Sequence, residues 1–184
     1  KNLIHVSIHA GVGAGIILDH HLYTGLAGTA GEAGHMIVQP GGRSCPCGNH
    51  GCLEQYISEP AVLSRYRELS GRTTVSIDDL VWAYNQKETA ALAVTDEFTT
   101  YLACGINNLW NLFSPECIIL NCQLTAYLPQ LLPEILQKLS PRFRATCHLK
   151  LSTLQDTGVL LGAAKVCISK YLGTEKLYFS GLQP

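Results

Sequence analysis

Methionine, clustered positive charge and long apolar runs are what this 184-residue sequence has least of. Its one methionine is Met36, and Lys1 opens directly onto a strand-like run, so the sequence reads as a piece of a longer protein. Thirteen Lys and Arg against fourteen Asp and Glu leave a net charge of −1, and the basic residues are scattered. Phosphate backbones are gripped by concentrated positive charge, so this segment is not expected to be the nucleic-acid-binding part of anything. No apolar run approaches the roughly 18–20 residues that span a bilayer, and no secretory leader pattern is present. Eight cysteines are too sparse in a chain of this length for a disulfide scaffold. With 47% hydrophobic and only 15% charged residues, disorder is excluded, and one domain or two small lobes are expected.

What is present follows an order. Residues 3–9 are rich in β-branched side chains and read as a strand. The glycine-rich stretch Gly11-Val-Gly-Ala-Gly15 predicts a turn into a second strand at 16–18, and Asp19-His20 a tighter one into a third at 21–24. Residues 25–51 are dense in glycine with little periodicity and predict a long irregular loop, which in a compact domain is functional or pinned. Helices are expected over 52–58, 60–69, 78–84, 88–113, 128–139 and 158–171, with strands at 117–120 and 148–152 between the later ones. A β-meander followed by helices and then alternating strands and helices predicts an α/β layered domain. The last dozen residues, 173–184, read as a surface tail.

Three of the cysteines fall within eight residues. Cys45, Cys47 and Cys52 form C-x-C-x4-C, and His35 lies ten residues upstream. Zinc favours four Cys and His ligands held tetrahedrally, and the glycines beside Cys47 and Cys52 let the backbone wrap tightly. A redox dithiol or simply buried thiols are the other readings that spacing leaves open. Cys104, Cys117, Cys122, Cys147 and Cys167 fall in expected helices or near expected strands and read as small buried apolar residues rather than ligands.

Around this cluster the sequence resembles a known family. Gly28-Thr-Ala-Gly-Glu-Ala-Gly-His35, Cys45-Pro-Cys-Gly48 and Gly51-Cys-Leu-Glu54 are similar to the signature of the ROK family. That family holds bacterial sugar kinases and sugar-responsive repressors, the N-acetylglucosamine- and xylose-responsive ones among them. Weaker matches fall in the same order: Gly11–Gly15, Asn111-Leu-Phe-Ser-Pro115, Asp156-Thr-Gly158 and Gly162-Ala-Ala164. The resemblance implies the C-terminal lobe of an actin-like, ribonuclease-H-like sugar kinase fold with a zinc-binding loop (25–52) and a helical insertion. It implies structural zinc on His35, Cys45, Cys47 and Cys52. It also implies sugar contacts from Glu32, His35 and Glu54, residues that composition alone would leave as solvated loop groups. One imidazole serves both tasks because its two nitrogens are distinct.

Whether the parent is a kinase or a sensor turns on the nucleotide turns. Family kinases carry Gly-Thr-Gly where this sequence has His9-Ala10-Gly11, and a glycine-rich turn where it has Asn121-Cys-Gln-Leu124. Close backbone approach to phosphates is difficult without glycine. Gly11, Gly13 and Gly15 therefore read as former nucleotide-loop glycines. The expectation is a non-enzymatic, cytoplasmic module of a ROK-type repressor that senses an effector and oligomerises as a homodimer or homotetramer. The effector is a sugar, a sugar phosphate or a regulatory protein, and operator DNA is bound through an upstream domain outside this sequence. A fragment of an ATP-dependent ROK sugar kinase is the alternative.

Overall fold

The computed structural model describes residues 2–154 and 157–173. It divides into two compact units, Lys1–Ser152 and Thr153–Pro184. In the first, strands β1 (Leu3–Ile8), β2 (Val12–Leu18), β3 (His21–Tyr23), β4 (Cys117–Cys122) and β5 (His148–Leu151) form one mixed sheet in the order β3-β2-β1-β4-β5. The β1–β2 and β2–β3 pairs are antiparallel, and β1–β4 and β4–β5 are parallel. Helices α1 (Glu54–Ile57), α2 (Glu59–Ser70), α3 (Ile77–Asn85) and α4 (Thr89–Phe113) lie between β3 and β4. Between β4 and β5 come α5 (Gln123–Tyr127), α6 (Leu131–Lys138) and α7 (Pro141–Thr146). In the second unit α8 runs from Thr157 to Leu172. The α/β architecture expected from the alternation is present.

Period-two burial builds the sheet's inner face. Ile4, Val6 and Ile8 of β1 are buried in alternation, beside Ile118 and Leu120 of β4. The core helix is α4, where Val94, Phe98, Leu102, Ile106 and Leu109 recur at three- and four-residue steps and are all buried. Each such side chain contributes roughly 1.5–3 kcal/mol relative to staying in water. Ser114, in a left-handed conformation (φ 43°), ends α4 ahead of Pro115. The Ser76 side chain accepts from the Asp79 N–H and the Asp79 carboxylate accepts from the Ser76 N–H, a reciprocal cap on α3.

Three expectations change. The glycine-rich segment is not a turn: the chain reverses at His9–Gly11, and Gly13 and Gly15 lie inside β2, paired with Ser7 and His5. Neither has a positive φ, and a Cβ at Gly15 would meet nothing within 4 Å. The expected helix 128–139 starts later, as α6 at Leu131, because Leu128 precedes Pro129 and is driven out of helical geometry at φ −120°, ψ 68°; it caps instead the short, unexpected α5. Helix α7 was not expected at all. It starts on the Ser140 cap with Pro141 in its first turn, and it anchors Phe143, fully buried against the edge of Trp110. Asp156 and residues 174–184, most of the expected tail, lie outside the described residues.

Candidate metal and effector site

The segment between β3 and α1 is irregular, as expected, but it is closely tied down. Single 3-10 turns occur at Leu26–Gly28 and Ala33–His35, and isolated bridges join Ile37 to Cys52 and Ser44 to His50. Two glycines make the packing possible. Gly31 (φ +91°) brings its carbonyl to the Ala14 N–H at 2.7 Å, and a Cβ there would lie 2.0 Å from the Ala14 oxygen. Gly51 (φ +85°) sits against the Gln39 carbonyl, where a Cβ would lie at 1.7 Å. The loop thus follows the half of β2 that β3 leaves unpaired.

His35, Cys45, Cys47 and Cys52 converge here, and their ligand atoms all lie within 4.8 Å of one another. Cys47 Sγ is 3.7 Å from Cys52 Sγ, and Cys45 Sγ is 3.7 Å from His35 Nδ1. A zinc tetrahedron with ordinary bond lengths has S–S and N–S edges of about 3.8 and 3.6 Å, so the donors fit the ion in kind, number and spacing. Two of the thiols are pulled in opposite directions. Burial, then the Cys45 and Cys47 thiols, push Cys52 up to about 12. The exposed Cys47 is drawn down to about 7, chiefly by the Asn49 backbone N–H and then by Cys45. A divalent cation is what lets all three become thiolates together.

Sequence reasoning missed the residues that brace the loop. The Arg43 N–H donates to Tyr56 Oη at 2.9 Å, and Arg43 Nη1 donates to the Gln55 carbonyl at 2.8 Å. Its guanidinium also pairs with Glu97 of α4 and lies over the Tyr56 ring, which stacks on Tyr101 at 4.0 Å. Arg65 of α2 shares Glu97 at 3.1 Å. Gln55 Nε2 donates to Cys45 Sγ at 3.6 Å. The available signal was Arg43 itself, the one Lys or Arg in the stretch from residue 25 to 52.

Two of the three expected sugar contacts, Glu32 and His35, lie on this braced loop, and the third, Glu54, stands at its end in α1. His35 Nε2, the nitrogen turned away from Cys45, is 3.9 Å from Glu32 Oε2, and the Glu32 side chain is largely exposed. Glu54 opens α1 two residues after Cys52, and its Oε2 accepts the Val12 N–H at 2.9 Å beside Gly11. Glu54 therefore touches the reversal between β1 and β2. At that reversal His9 Nε2 and Asn121 Nδ2 are 3.2 Å apart, so the ends of the parallel strands β1 and β4 are bridged by side chains. Of the other cysteines, expected to be buried, Cys122 and Cys147 are buried, whereas Cys104 and Cys117 are half-buried and Cys167, on α8, is exposed.

An α/β lobe with a Cys3His cluster beside the first hairpin is a combination that comparison with known proteins can place. The ROK family model matches residues 1–170. The chain is 33% identical over 96% of its length to the xylose repressor of Bacillus spizizenii, covering 47% of that protein. It superposes on the ROK hexokinase of Thermus thermophilus with a TM-score of 0.76 at 25% identity, over 89% of this chain and 56% of that one. It superposes on a ROK family transcriptional regulator, described as a homologue of the Escherichia coli Mlc protein, with a TM-score of 0.68 at 31% identity, over 82% and 41% of the two chains. The chain belongs to the ROK family. It spans about half the length of the curated relatives it matches. Among the described residues no helix is long and apolar enough to cross a membrane.

Proposed function

We propose that this chain is the effector-sensing and oligomerising part of a cytoplasmic ROK-type transcriptional repressor of carbohydrate metabolism, and that it does not transfer phosphate. The observation that carries the reading is the His9–Asn121 contact at 3.2 Å. Two side chains occupy the position at which family kinases keep glycine turns open for nucleotide phosphates, and Asn121 is buried there. The 33% identity to a xylose repressor supports the same side of the family.

Zinc on His35, Cys45, Cys47 and Cys52 is structural in this proposal: it supplies a rigid tetrahedral node. The chain's own residues do the recognition. Coordination through Nδ1 leaves the His35 Nε2 proton free to donate to a sugar hydroxyl. The carboxylates of Glu32 and Glu54 accept hydroxyl protons in charge-assisted bonds. Val12 holds one oxygen of Glu54, which fixes the direction of the other. Binding then favours one arrangement of the lobes over another and changes the spacing of DNA-reading heads across a homodimer or homotetramer. A sugar, a sugar phosphate or a regulatory protein can exert that bias.

The test uses the full-length protein. Xylose and other sugars are titrated by calorimetry and against operator release, in parallel with a sugar-dependent ADP-release assay. Glu54→Gln keeps an acceptor for Val12 but loses the charge. It should weaken effector affinity by on the order of ten- to a hundredfold, the worth of one charge-assisted hydrogen bond, with zinc content unchanged. An induction curve unmoved by Glu54→Gln refutes the effector site. The hexokinase likeness favours a second reading, a sugar kinase, and sugar-dependent ADP release establishes that one instead.

A further inference from the structure

We infer that the metal cluster is also an oxidation site, at which a hydroperoxide entering at Cys47 joins it to Cys52 and expels the zinc. This rests on the zinc assignment made above. The three thiols are not equally reachable: Cys45 is 3% exposed and Cys52 0%, whereas Cys47 is exposed. Hydrogen peroxide therefore meets one sulfur first. A partner stands ready, because Cys52 Sγ is 3.7 Å from Cys47 Sγ, and closing to a disulfide needs a further approach of about 1.7 Å. The segment between them can supply it from one end only. Gly48 has open space around its Cβ position, so the Cys47 side can give. Gly51 is wedged against the Gln39 carbonyl, so Cys52 holds its place. Cys45 is otherwise engaged, by His35 Nδ1 at 3.7 Å and Gln55 Nε2 at 3.6 Å.

The step balances. The Cys47 thiolate attacks one peroxide oxygen: an S–O bond forms, the O–O bond breaks, and the departing hydroxide takes a proton from solvent to become water. The Cys52 thiolate then attacks the sulfenic sulfur: an S–S bond forms, the S–O bond breaks, and a second hydroxide leaves and is protonated. Two thiolates give up two electrons, and one hydrogen peroxide becomes two waters. The zinc ion keeps its charge but retains only His35 and Cys45, two ligands of four, and dissociates.

The experiment treats the zinc-loaded full-length protein with graded hydrogen peroxide. Free zinc is read with a chromogenic chelator, and disulfides are mapped by mass spectrometry after alkylation. The expected result is one zinc released per Cys47–Cys52 disulfide, with both reversed by dithiothreitol. Cys47→His preserves four ligands while removing the exposed thiol, and it should hold zinc through the same treatment. The wild-type ratio of disulfide to zinc decides the matter whether or not this variant keeps its metal. Zinc retained after the exposed Cys167 has been oxidised, or released with no Cys47–Cys52 link, overturns the inference. A protein that takes up no zinc before any oxidant is added overturns the metal assignment itself.

Discussion

Gly51→Ala probes how far backbone geometry, rather than the ligands alone, makes the metal site. Gly51 has φ +85°, in the left-handed region where an alanine costs about 1–2 kcal/mol. The new Cβ would also lie 1.7 Å from the Gln39 carbonyl oxygen, against an ordinary non-bonded separation of about 3.5 Å. The two strands of chain must part by roughly that difference. Parting them breaks the bonds from the Val38 N–H to the Gly51 carbonyl and from the Leu53 N–H to the Met36 carbonyl, both 2.9 Å. Each contributes about 1 kcal/mol net. The total is about 3–4 kcal/mol, felt one residue before Cys52. Because zinc binding and ordering of the loop are linked, that cost weakens zinc binding by on the order of a hundredfold or more. Gly48→Ala is the control: its φ is +95°, but its Cβ would meet nothing within 4 Å, so only the conformational cost of about 1–2 kcal/mol applies. Competition with a chelator of known affinity measures both variants. Equal losses in the two would refute the crowding argument, since only Gly51 faces a backbone oxygen.

Two further outcomes are expected away from the metal. Phe143→Ala empties a fully buried ring site against Trp110 and should cost about 3–5 kcal/mol. Thermal denaturation should show a fall in Tm on the order of 10 °C, and a fall of only a degree or two would mean that α7 is not anchored by this ring. The Asp79 carboxyl is held below its ordinary range by the Ser76 hydroxyl first and the Ser76 backbone N–H second. A depressed carboxylate stabilises the fold above its unfolded value, about 3.9, and that contribution is lost as pH falls through the lower folded value. Amide protection in α3, taken relative to the unstructured rate at each pH, should therefore fall below about pH 4 in the native chain and depend less on pH in Asp79→Asn, whereas identical profiles would contradict the cap.

Much of this was legible from residue pattern. Alternation in Leu3–Ile8, the heptad-like run through Phe98 and Leu109, and C-x-C-x4-C with His35 each express a local rule, and each element formed where its rule put it. What was not legible depended on distant partners. Gly13 and Gly15 look like a turn in isolation, yet β1 and Gly31 flank that segment and draw it into a strand. Helix α7 is only six residues long, too short for periodicity to reveal, and Phe143 earns its helix by packing. The Arg43–Glu97 pair joins residues fifty-four apart, and no spacing announces it. Glu54 was singled out by family resemblance, while its bond to Val12, forty-two residues away, came only with the fold.

The register of β1 against β4 has a consequence for the order of assembly. Leu3 pairs with Cys117 and Ile8 with Cys122, so the middle of the sheet joins strands more than a hundred residues apart. Closing that span carries about 4 kcal/mol of length-dependent chain entropy. On a ribosome adding roughly 5–20 residues per second, the first strand waits several seconds for its parallel neighbour. During that wait β1 has only β2 beside it, and the edge that β4 will take stays unpaired. His35, Cys45, Cys47 and Cys52 are all present once residue 52 has emerged, and the Ala14–Gly31 bond that seats their loop joins segments already made. A nascent chain can thus seat its cysteine loop on the hairpin well before Glu97 arrives to brace Arg43, so the geometry of the four clustered ligands is set locally and early, ahead of the long-range closure of the sheet.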